Sequence, residues 1–166
     1  MPAAAHSSSE RRGEKPMTII SLLKKADILN GLSESQLEKV AGLWREQTCN
    51  TDDIIFKEND ASSELYLIQD GLVEITLSVP EPGTERSIVT LGKGQIFGEM
   101  ALVDEGPRSA SARCIADGTR LWVAERADFI SLCEEDTSIG FTVMKNIAAD
   151  LSFKLRLINL TRKEPG

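Results

Sequence analysis

A chain of 166 residues is long enough to form one domain around a hydrophobic core. Its formal net charge of −7 leaves no basic footprint of the kind that duplex-binding proteins carry, so we expect no DNA partner. No apolar run approaches the ~18 residues of a membrane span, and we expect no membrane partner.

Residues 1–16 are small, polar and charged and contain no hydrophobic segment, which predicts a disordered tail rather than a signal peptide. The only histidine, His6, lies in this tail, which argues against histidine-based metal sites and histidine-dependent catalytic triads. Cys49, Cys114 and Cys133 are odd in number and widely spaced. They predict reduced, packed thiols in a cytoplasmic protein rather than a disulfide framework or a zinc site.

The first part of the folded chain has helical spacing. Apolar residues between positions 19 and 26 predict a short amphipathic helix, which the pair at 30–31, Asn-Gly, ends. Ser33 and Gln36 have the spacing of a capping box. We therefore expect a second helix that begins here and carries apolar residues as far as Trp44.

Short β-type segments then follow, separated by turn signals. They are expected at residues 53–57, 65–69, 72–79, 87–91, 109–116 and 120–125. The Asp-Gly pairs at 70–71 and 117–118 predict tight turns, and residues 80–83 predict a longer loop. Strands at near-regular spacing favour a mainly β fold, a β-roll or barrel with N-terminal helices and a long C-terminal helix, over a parallel α/β sheet.

The most informative stretch is FGEMALVDEGPRSASARC at residues 97–114. Gly98 precedes a short predicted helix, and the free N–H groups that begin a helix attract anions. Arg108 offers a planar fork of donors that matches two phosphate oxygens. Ser109 adds a hydroxyl, while Ala110 and the small residues after it leave room. We infer a pocket for a small anion that also carries a hydroxyl.

Glu99 is unexpected in an anion site, because a carboxylate should repel a phosphate. It fits if it accepts a hydrogen bond from a ligand hydroxyl, such as a ribose 2′-OH, while Arg108 balances the charge. The alternative is that residues 98–103 are only a helical turn and that Arg108 is a solvated surface charge. No nucleophile, metal site or activated base accompanies Glu99, so we expect no enzyme, no catalytic residue and no metal or cofactor.

This stretch resembles the phosphate-binding cassette of the cyclic nucleotide-binding domain family, of the catabolite activator and protein kinase regulatory subunit type. The matching positions are Phe97, Gly98, Glu99, Ala101, Leu102, Gly106, Pro107, Arg108, Ser109 and Ala110. The resemblance implies a jelly-roll β-roll, with Glu99 on the ribose 2′-OH and Arg108 on the exocyclic phosphate oxygens. The ligand-binding residues it implies are Gly98, Glu99, Met100, Ala101, Arg108, Ser109 and Ala110.

A second stretch, residues 64–73, is similar to the family's LYxIxxGxV pattern. The turn before it departs from the family, because Asn59 stands where glycine is commoner in the Glu-Gly-Asp turn. Asparagine tolerates the left-handed conformation at modest cost, so we expect the turn to persist.

The C-terminal segment, residues 138–163, predicts a helix with apolar residues on two sides. One side has a heptad-like stripe of Met144, Ala148, Leu151, Leu155 and Ile158, and the opposite side carries Phe153, Leu157 and Leu160. We expect this helix to act as a lid, with Ser152, Lys154 or Asn159 as its polar contact, and to form a homodimer. Residues 17–137 would then be the nucleotide-binding β-roll with its flanking helices.

After Lys163 the sequence has only Glu-Pro-Gly, where transcription regulators of this family carry a helix-turn-helix domain. We therefore expect a cyclic nucleotide sensor, with cAMP preferred over cGMP, that regulates a separate, unknown protein effector through its last helix. Two alternatives stay open at this point. The chain could be a structural or interaction module of the same fold that binds no nucleotide, or a truncated transcription regulator.

Overall fold

The computed structural model describes residues 15–163, so most of the predicted tail, residues 1–14, lies outside the described residues. Helix α1 spans Lys15–Leu23, a 3₁₀ helix spans Asp27–Leu29, and α2 spans Glu34–Ala41. The predicted capping box is confirmed at the start of α2. The Gln36 N–H donates to Oγ of Ser33 at 3.2 Å, and the Ser33 N–H donates to Oε1 of Gln36 at 3.0 Å.

The prediction that α2 extends to Trp44 is wrong. The helix ends at Ala41, and Gly42, the poorest helix former other than proline, follows as its C-terminal cap. Trp44 instead begins strand β1, which pairs with the last strand of the fold over its whole length. The long-range pairing of β1 therefore overrides the local helical spacing of the apolar residues.

The strands form two four-stranded antiparallel sheets. Their bounds are β1 Trp44–Cys49, β2 Ile54–Phe56, β3 Glu64–Asp70, β4 Val73–Ser78, β5 Glu85–Leu91, β6 Ile96–Phe97, β7 Ser111–Cys114 and β8 Thr119–Glu125. One sheet has the order β1-β8-β3-β6 and the other β2-β7-β4-β5. This confirms the mainly β prediction, and it adds β1 and β6, which the sequence did not indicate.

Two apolar cores hold these layers together. The first lies between the sheets and includes Tyr66, Phe97 and Val123. The second lies between the β1-β8-β3 side and the helices, and it contains both tryptophans, Trp44 and Trp122. Successive residues of a strand point to opposite faces, so β8 contributes Val123 to one core and Trp122 to the other.

Helices α3 (Arg126–Glu135) and α4 (Thr137–Thr161) close the described part of the chain. Asp136 caps α4, since its Oδ1 accepts a hydrogen bond from the Ile139 N–H at 3.3 Å. The first half of α4 is anchored by buried residues at every fourth position, Ile139, Val143 and Ile147. From residue 152 to residue 163 every side chain is exposed. The long helix therefore has one half in the core and one half that projects from it.

The stripe predicted on α4 is divided between these halves. Met144 and Leu151 are half-buried and pack against the helix-side core. Leu155 and Ile158 are 59% and 49% exposed. Met144 and Leu151 therefore serve the core of this chain, and Ala148, Leu155 and Ile158 are the members of the stripe that remain exposed.

All three cysteines are buried free thiols. Burial, followed by the neighbouring Cys114 thiol, raises the pKa of Cys49 to about 12, so this side chain behaves as packed apolar volume. Within residues 15–163 no helix has the length and apolarity to cross a membrane. Over the same residues, no group of three histidine, cysteine, aspartate or glutamate side chains is placed to hold a metal ion.

Candidate functional site

The first turn of the cassette begins where β6 ends. Gly98 has a φ of +76° and leads into a 3₁₀ helix at Glu99–Leu102. A Cβ added at Gly98 would lie 2.8 Å from Nη1 of Arg108 and 3.1 Å from the carbonyl oxygen of Glu64. Glycine is therefore required here for two reasons, the left-handed backbone and the close approach of the guanidinium.

Arg108 is a buried cation, with only 6% of its surface exposed. Its Nη2 donates to the carbonyl oxygen of Glu64 at 2.7 Å, and its Nη1 donates to that of Gly98 at 3.3 Å. The guanidinium carbon lies 4.0 Å from the centroid of the Phe56 ring. Burial lowers the pKa of Arg108 from its usual value, and the nearby Tyr66 and carboxylates partly oppose this shift. The alternative interpretation of Arg108 as a solvated surface charge is therefore wrong.

Further contacts fix the residues that surround Arg108. The Tyr66 ring stacks on Phe97 with centroids 4.9 Å apart, and the Tyr66 hydroxyl donates to Oε2 of Glu64 at 2.5 Å. Arg45 donates to the other oxygen of that carboxylate at 2.6 Å. Because Glu64 also supplies a carbonyl to Arg108, this network fixes the backbone on which the guanidinium rests.

The turn between β2 and β3 ties the cassette from the other side. Asn59 adopts a φ of +73°, which confirms that asparagine takes the left-handed conformation at this turn. The Asn59 N–H donates to the Arg108 carbonyl at 2.9 Å, and the Arg108 N–H donates to the Asp60 carbonyl at 2.8 Å. Main-chain and side-chain atoms of Arg108 are thus both fixed by neighbouring backbone.

A cavity of about 450 Å³ opens between the cassette, strands β4 and β5, and the projecting half of α4. We call it the cassette cavity. Its apolar lining residues are Phe56, Ile75, Val89, Leu91, Ile96, Phe97 and Met100, and the other lining residues include Arg108, Glu99, Ser62, Asp104 and Lys154. Ile75 and Val89 face each other across the β4–β5 pair. An apolar wall therefore faces a group of charged residues in one concave site.

Most of the predicted ligand-binding residues line this cavity, namely Gly98, Glu99, Met100, Arg108, Ser109 and Ala110. Ala101 does not. It is fully buried, and its carbonyl accepts a hydrogen bond from Nε of Arg126 at 2.5 Å. Of the three polar residues suggested for the lid, Lys154 lines the cavity, whereas Ser152 and Asn159 do not.

Sequence reasoning missed the apolar wall. Phe56, Ile75, Val89 and Leu91 come from β2, β4 and β5, and each looks like an ordinary strand residue in the sequence. Val89 and Leu91 lie two positions apart on one face of β5, a spacing common to all strands, so the sequence held no signal that marked them as site residues.

Glu99 is half-buried and its environment is mixed. Burial raises the pKa of Glu99 and is the largest influence; a hydrogen bond to its own backbone and then Lys154 lower the pKa, Asp150 raises it, and Arg108 lowers it least. On α4, Lys154 Nζ lies 2.6 Å from Oδ2 of Asp150, one turn earlier on the same helix. The carboxylate therefore sits between a fixed guanidinium and an ion pair on the projecting half of α4.

These groups suit a ligand with three chemically different parts. The buried cation and the small residues beside it fit an anion, Glu99 can accept a hydrogen bond from a hydroxyl, and the apolar wall fits a flat ring. The cavity volume of about 450 Å³ is in the range usual for small-molecule sites.

Comparison with known proteins gives concordant results. The model of the family described as "Cyclic nucleotide-binding domain" matches residues 46–136. The "Cyclic AMP receptor protein" of Thermus thermophilus is 32% identical over 138 residues, covering 83% of this chain and 61% of that protein. The chain thus spans about three fifths of the length of that relative.

Two solved structures extend the comparison to the fold. The Thermus thermophilus catabolite activator protein superposes with a TM-score of 0.70 at 31% identity, over 81% of this chain and 61% of that chain. The regulatory domain of Toxoplasma gondii PKA, solved with cAMP, gives a TM-score of 0.68 at 25% identity, over 74% of this chain and 46% of that chain.

Proposed function

This chain belongs to the cyclic nucleotide-binding domain family, whose domain is regulatory rather than catalytic, and we propose that it is a sensor that binds cAMP in preference to cGMP. The observation that carries the proposal is the cassette cavity, which Arg108, Glu99 and the apolar wall line together. A cyclic nucleotide has a matching anion, hydroxyl and planar base.

The phosphate is assigned to the cassette. Two carbonyl oxygens occupy part of the Arg108 donor set, and the rest of its planar fork can meet exocyclic phosphate oxygens. Gly98, Ser109 and Ala110 also line the cassette cavity, and these small residues leave space for the phosphate. A guanidinium that is fixed before the ligand arrives loses little conformational freedom on binding, which strengthens the interaction.

The ribose and the base take the remaining surfaces. The Glu99 carboxylate accepts a hydrogen bond from the ribose 2′-OH, and the base lies against Ile75, Val89 and Leu91. Support for cAMP comes from the Thermus thermophilus relative, named as a cyclic AMP receptor, and from the Toxoplasma gondii domain solved with cAMP. The Ser109 hydroxyl, which lines the cavity, is the feature that would favour guanine instead.

Signal transmission is assigned to α4. Its first half is anchored by Ile139, Val143 and Ile147, and its second half brings Lys154 to the cavity. A nucleotide that touches Lys154 in one helix position and not in another shifts the helix between the two, to the extent of that difference in affinity. A protein effector that recognises one position of α4 would be regulated in this way.

The same helix is proposed to form a homodimer. Its projecting half exposes a set of large apolar side chains, Phe153, Leu155, Leu157, Ile158 and Leu160. Leu155→Glu would place a carboxylate in the dimer interface, and light scattering should show a monomer in place of a dimer. Circular dichroism should be unchanged, because Leu155 is 59% exposed. A wild-type protein that is monomeric at tens of micromolar with and without nucleotide would reject the dimer.

The test of the sensor is a calorimetric titration of the full-length chain with cAMP and cGMP, with 5′-AMP as the acyclic control. We expect saturable binding of cAMP, weaker binding of cGMP and no saturation with 5′-AMP at the same concentrations. Thermal unfolding should shift upward with cAMP, as it does for any ligand that binds only the native state. If neither cyclic nucleotide binds or stabilises the protein, the chain is a structural module of the same fold.

A further inference from the structure

We propose a second ligand site, for a small hydroxylated phosphate monoester, in a cavity of about 430 Å³. The cavity lies between α1, the end of β3, the turn after β5 and the start of β8. We call it the end cavity. It shares no lining residue with the cassette cavity. Its lining includes three cations, Lys25, Lys93 and Arg120, together with Gln69 and Asp70. This second site does not depend on the function proposed for the cassette cavity.

The charge of the end cavity is opposite to that of the chain. The protein has a net charge of −7, yet three cations and one carboxylate line this hollow. Asp70 Oδ2 lies 3.8 Å from Nη2 of Arg120, the one ion pair that these cations form among the described residues. Lys25 and Lys93 remain uncompensated there, and the surplus of two positive charges matches one phosphate monoester dianion.

Hydrogen bonds hold the backbone segments that carry these cations. Lys93 occupies the tip of a tight turn in which the Gly92 N–H donates to Oε1 of Gln95 at 2.8 Å. The Gly94 N–H donates to the carbonyl of Ile68 at 2.8 Å, which fastens the turn to β3. Arg120 lies within β8, paired opposite Thr48 on β1. Lys25 follows the end of α1, where its N–H donates to the Leu22 carbonyl at 3.0 Å. Three separate segments therefore place like charges around one cavity, an arrangement that a bound anion stabilises.

Gln69 indicates what else the ligand must carry. Its amide oxygen is buried and has no hydrogen-bond partner among the described residues. The Gln69 side chain also lines the end cavity, so rotation of its amide presents this unpaired acceptor to a donor held there. A phosphate oxygen cannot donate when it is ionised, whereas a hydroxyl beside the phosphate can. The cavity is also larger than one phosphate requires, and its volume suits a small organic molecule.

The test uses glycerol 3-phosphate, inorganic phosphate and glycerol as probes of the ¹⁵N-labelled protein in nuclear magnetic resonance titrations. We expect saturable shifts at the amides of Gln69, Asp70, Lys93 and Arg120 with glycerol 3-phosphate, weaker binding of phosphate and none of glycerol. Lys25→Ala combined with Lys93→Ala should weaken glycerol 3-phosphate binding about tenfold, the effect of losing two exposed ionic contacts.

The matched control is Lys145→Ala combined with Lys163→Ala, which removes the same charge from exposed positions on and after α4. It should bind glycerol 3-phosphate as the wild type does. Gln69→Leu should bring glycerol 3-phosphate down to the affinity of phosphate while leaving phosphate binding unchanged, and thermal unfolding checks that each variant folds.

Several outcomes would overturn the site. These are the absence of saturable shifts in the end cavity up to ~20 mM probe, an equal loss of binding in the control variant, or a Gln69→Leu protein that still prefers glycerol 3-phosphate. An acidic hexaglutamate peptide is added as a fourth probe. If it binds these cations more tightly than glycerol 3-phosphate does, the end cavity receives an acidic protein segment and the small-molecule proposal is wrong.

Discussion

Arg108 and Lys154 are both cations of the cassette cavity, and the structure holds them in opposite ways. Arg108 is 6% exposed, stacks on Phe56 and donates to two backbone carbonyls of the β-roll. Lys154 has a side chain that is 59% exposed, and its described ion-pair partner, Asp150, lies on its own helix. One cation is therefore part of the sheet framework, and the other moves with α4.

In the sensor we propose, this difference separates recognition from response. A fixed guanidinium contributes affinity in every position of α4, because it is bonded to β3 and to the cassette itself. An exposed lysine on a projecting helix contributes little affinity, since solvent screens it. It can nevertheless bias the position of α4, because its contact with ligand exists only when the helix lies over the cavity. The following variants, from the largest expected effect to the smallest, test this division.

Arg108→Ala should weaken cAMP binding by ~2–5 kcal/mol, about thirty-fold to a few thousand-fold, because the phosphate loses its charged partner. Arg108→Lys should restore only part of the affinity, since an ammonium cannot form the planar fork. Calorimetric titration provides the measurement. The matched control is Arg86→Ala, which removes an exposed arginine from β5 and should bind cAMP normally. Undiminished binding by the folded Arg108→Ala protein would remove the phosphate from the cassette.

Gly98→Ala should cost ~1–3 kcal/mol in the free energy of unfolding and weaken cAMP binding as well. Alanine is unfavourable in the left-handed backbone conformation at this position, and its Cβ would lie only 2.8 Å from Nη1 of Arg108. Gly118→Ala is the control, since its φ is +68° and nothing lies within 4 Å of its added Cβ. Denaturant unfolding should show a loss in both variants. If cAMP affinity falls equally in both, the fixed position of Arg108 is not what matters.

Removing the ribose 2′-OH should cost ~1–3 kcal/mol of affinity in the wild type, the value of a hydrogen bond to a charged group. In Glu99→Ala, 2′-deoxy-cAMP and cAMP should bind alike. The wild-type penalty should shrink as the pH falls through the raised pKa of Glu99, because a protonated carboxyl is a weaker acceptor. The four affinities form a double-mutant cycle. Equal penalties in both proteins would show that Glu99 does not contact this hydroxyl.

Lys154→Ala should have the smallest effect on affinity, below ~1 kcal/mol, and the effect should weaken further with added salt. The substitution should change the response of α4 to cAMP more than it changes the affinity for cAMP. Hydrogen exchange of the α4 amides should change on cAMP addition in the wild type and change less in the variant. Lys145→Ala, on the same helix but outside the cavity lining, is the control. A loss of affinity comparable to that of Arg108→Ala would contradict the division between the two cations.

The cassette could be predicted because its chemistry is contiguous in the sequence. Gly98, Glu99 and Arg108 lie within eleven positions, and each residue type has a distinct physical reason to be there. The apolar wall could not be found in the same way. Val89 and Ile75 meet only because β4 and β5 pair, and an exposed apolar strand residue has no signature of its own.

The secondary structure shows the same limit. Helix α2 began as its capping box predicted, because the cap is a local interaction. Its end was misjudged at Trp44, which is held by β8, seventy-five or more positions later in the chain. On α4, the buried line through Ile139, Val143 and Ile147 repeats every four residues, whereas the predicted stripe followed a seven-residue repeat. The buried line is neither of the two apolar faces predicted for this helix, because long-range packing decides which of its residues are covered.

The division into two cores also determines what the tryptophan fluorescence of this protein measures. Both tryptophans lie in the helix-side core together with Ile139, Val143 and Ile147 of α4, and neither lines the cassette cavity. Emission excited at the red edge, where tyrosine does not absorb, therefore reports the packing of the helix-side core, in which both tryptophans lie beside α1 and α2, rather than contact with the ligand. Calorimetry measures occupancy of the cavity and tryptophan emission measures this core, so the native chain carries its own reporter of whether binding reaches the helices.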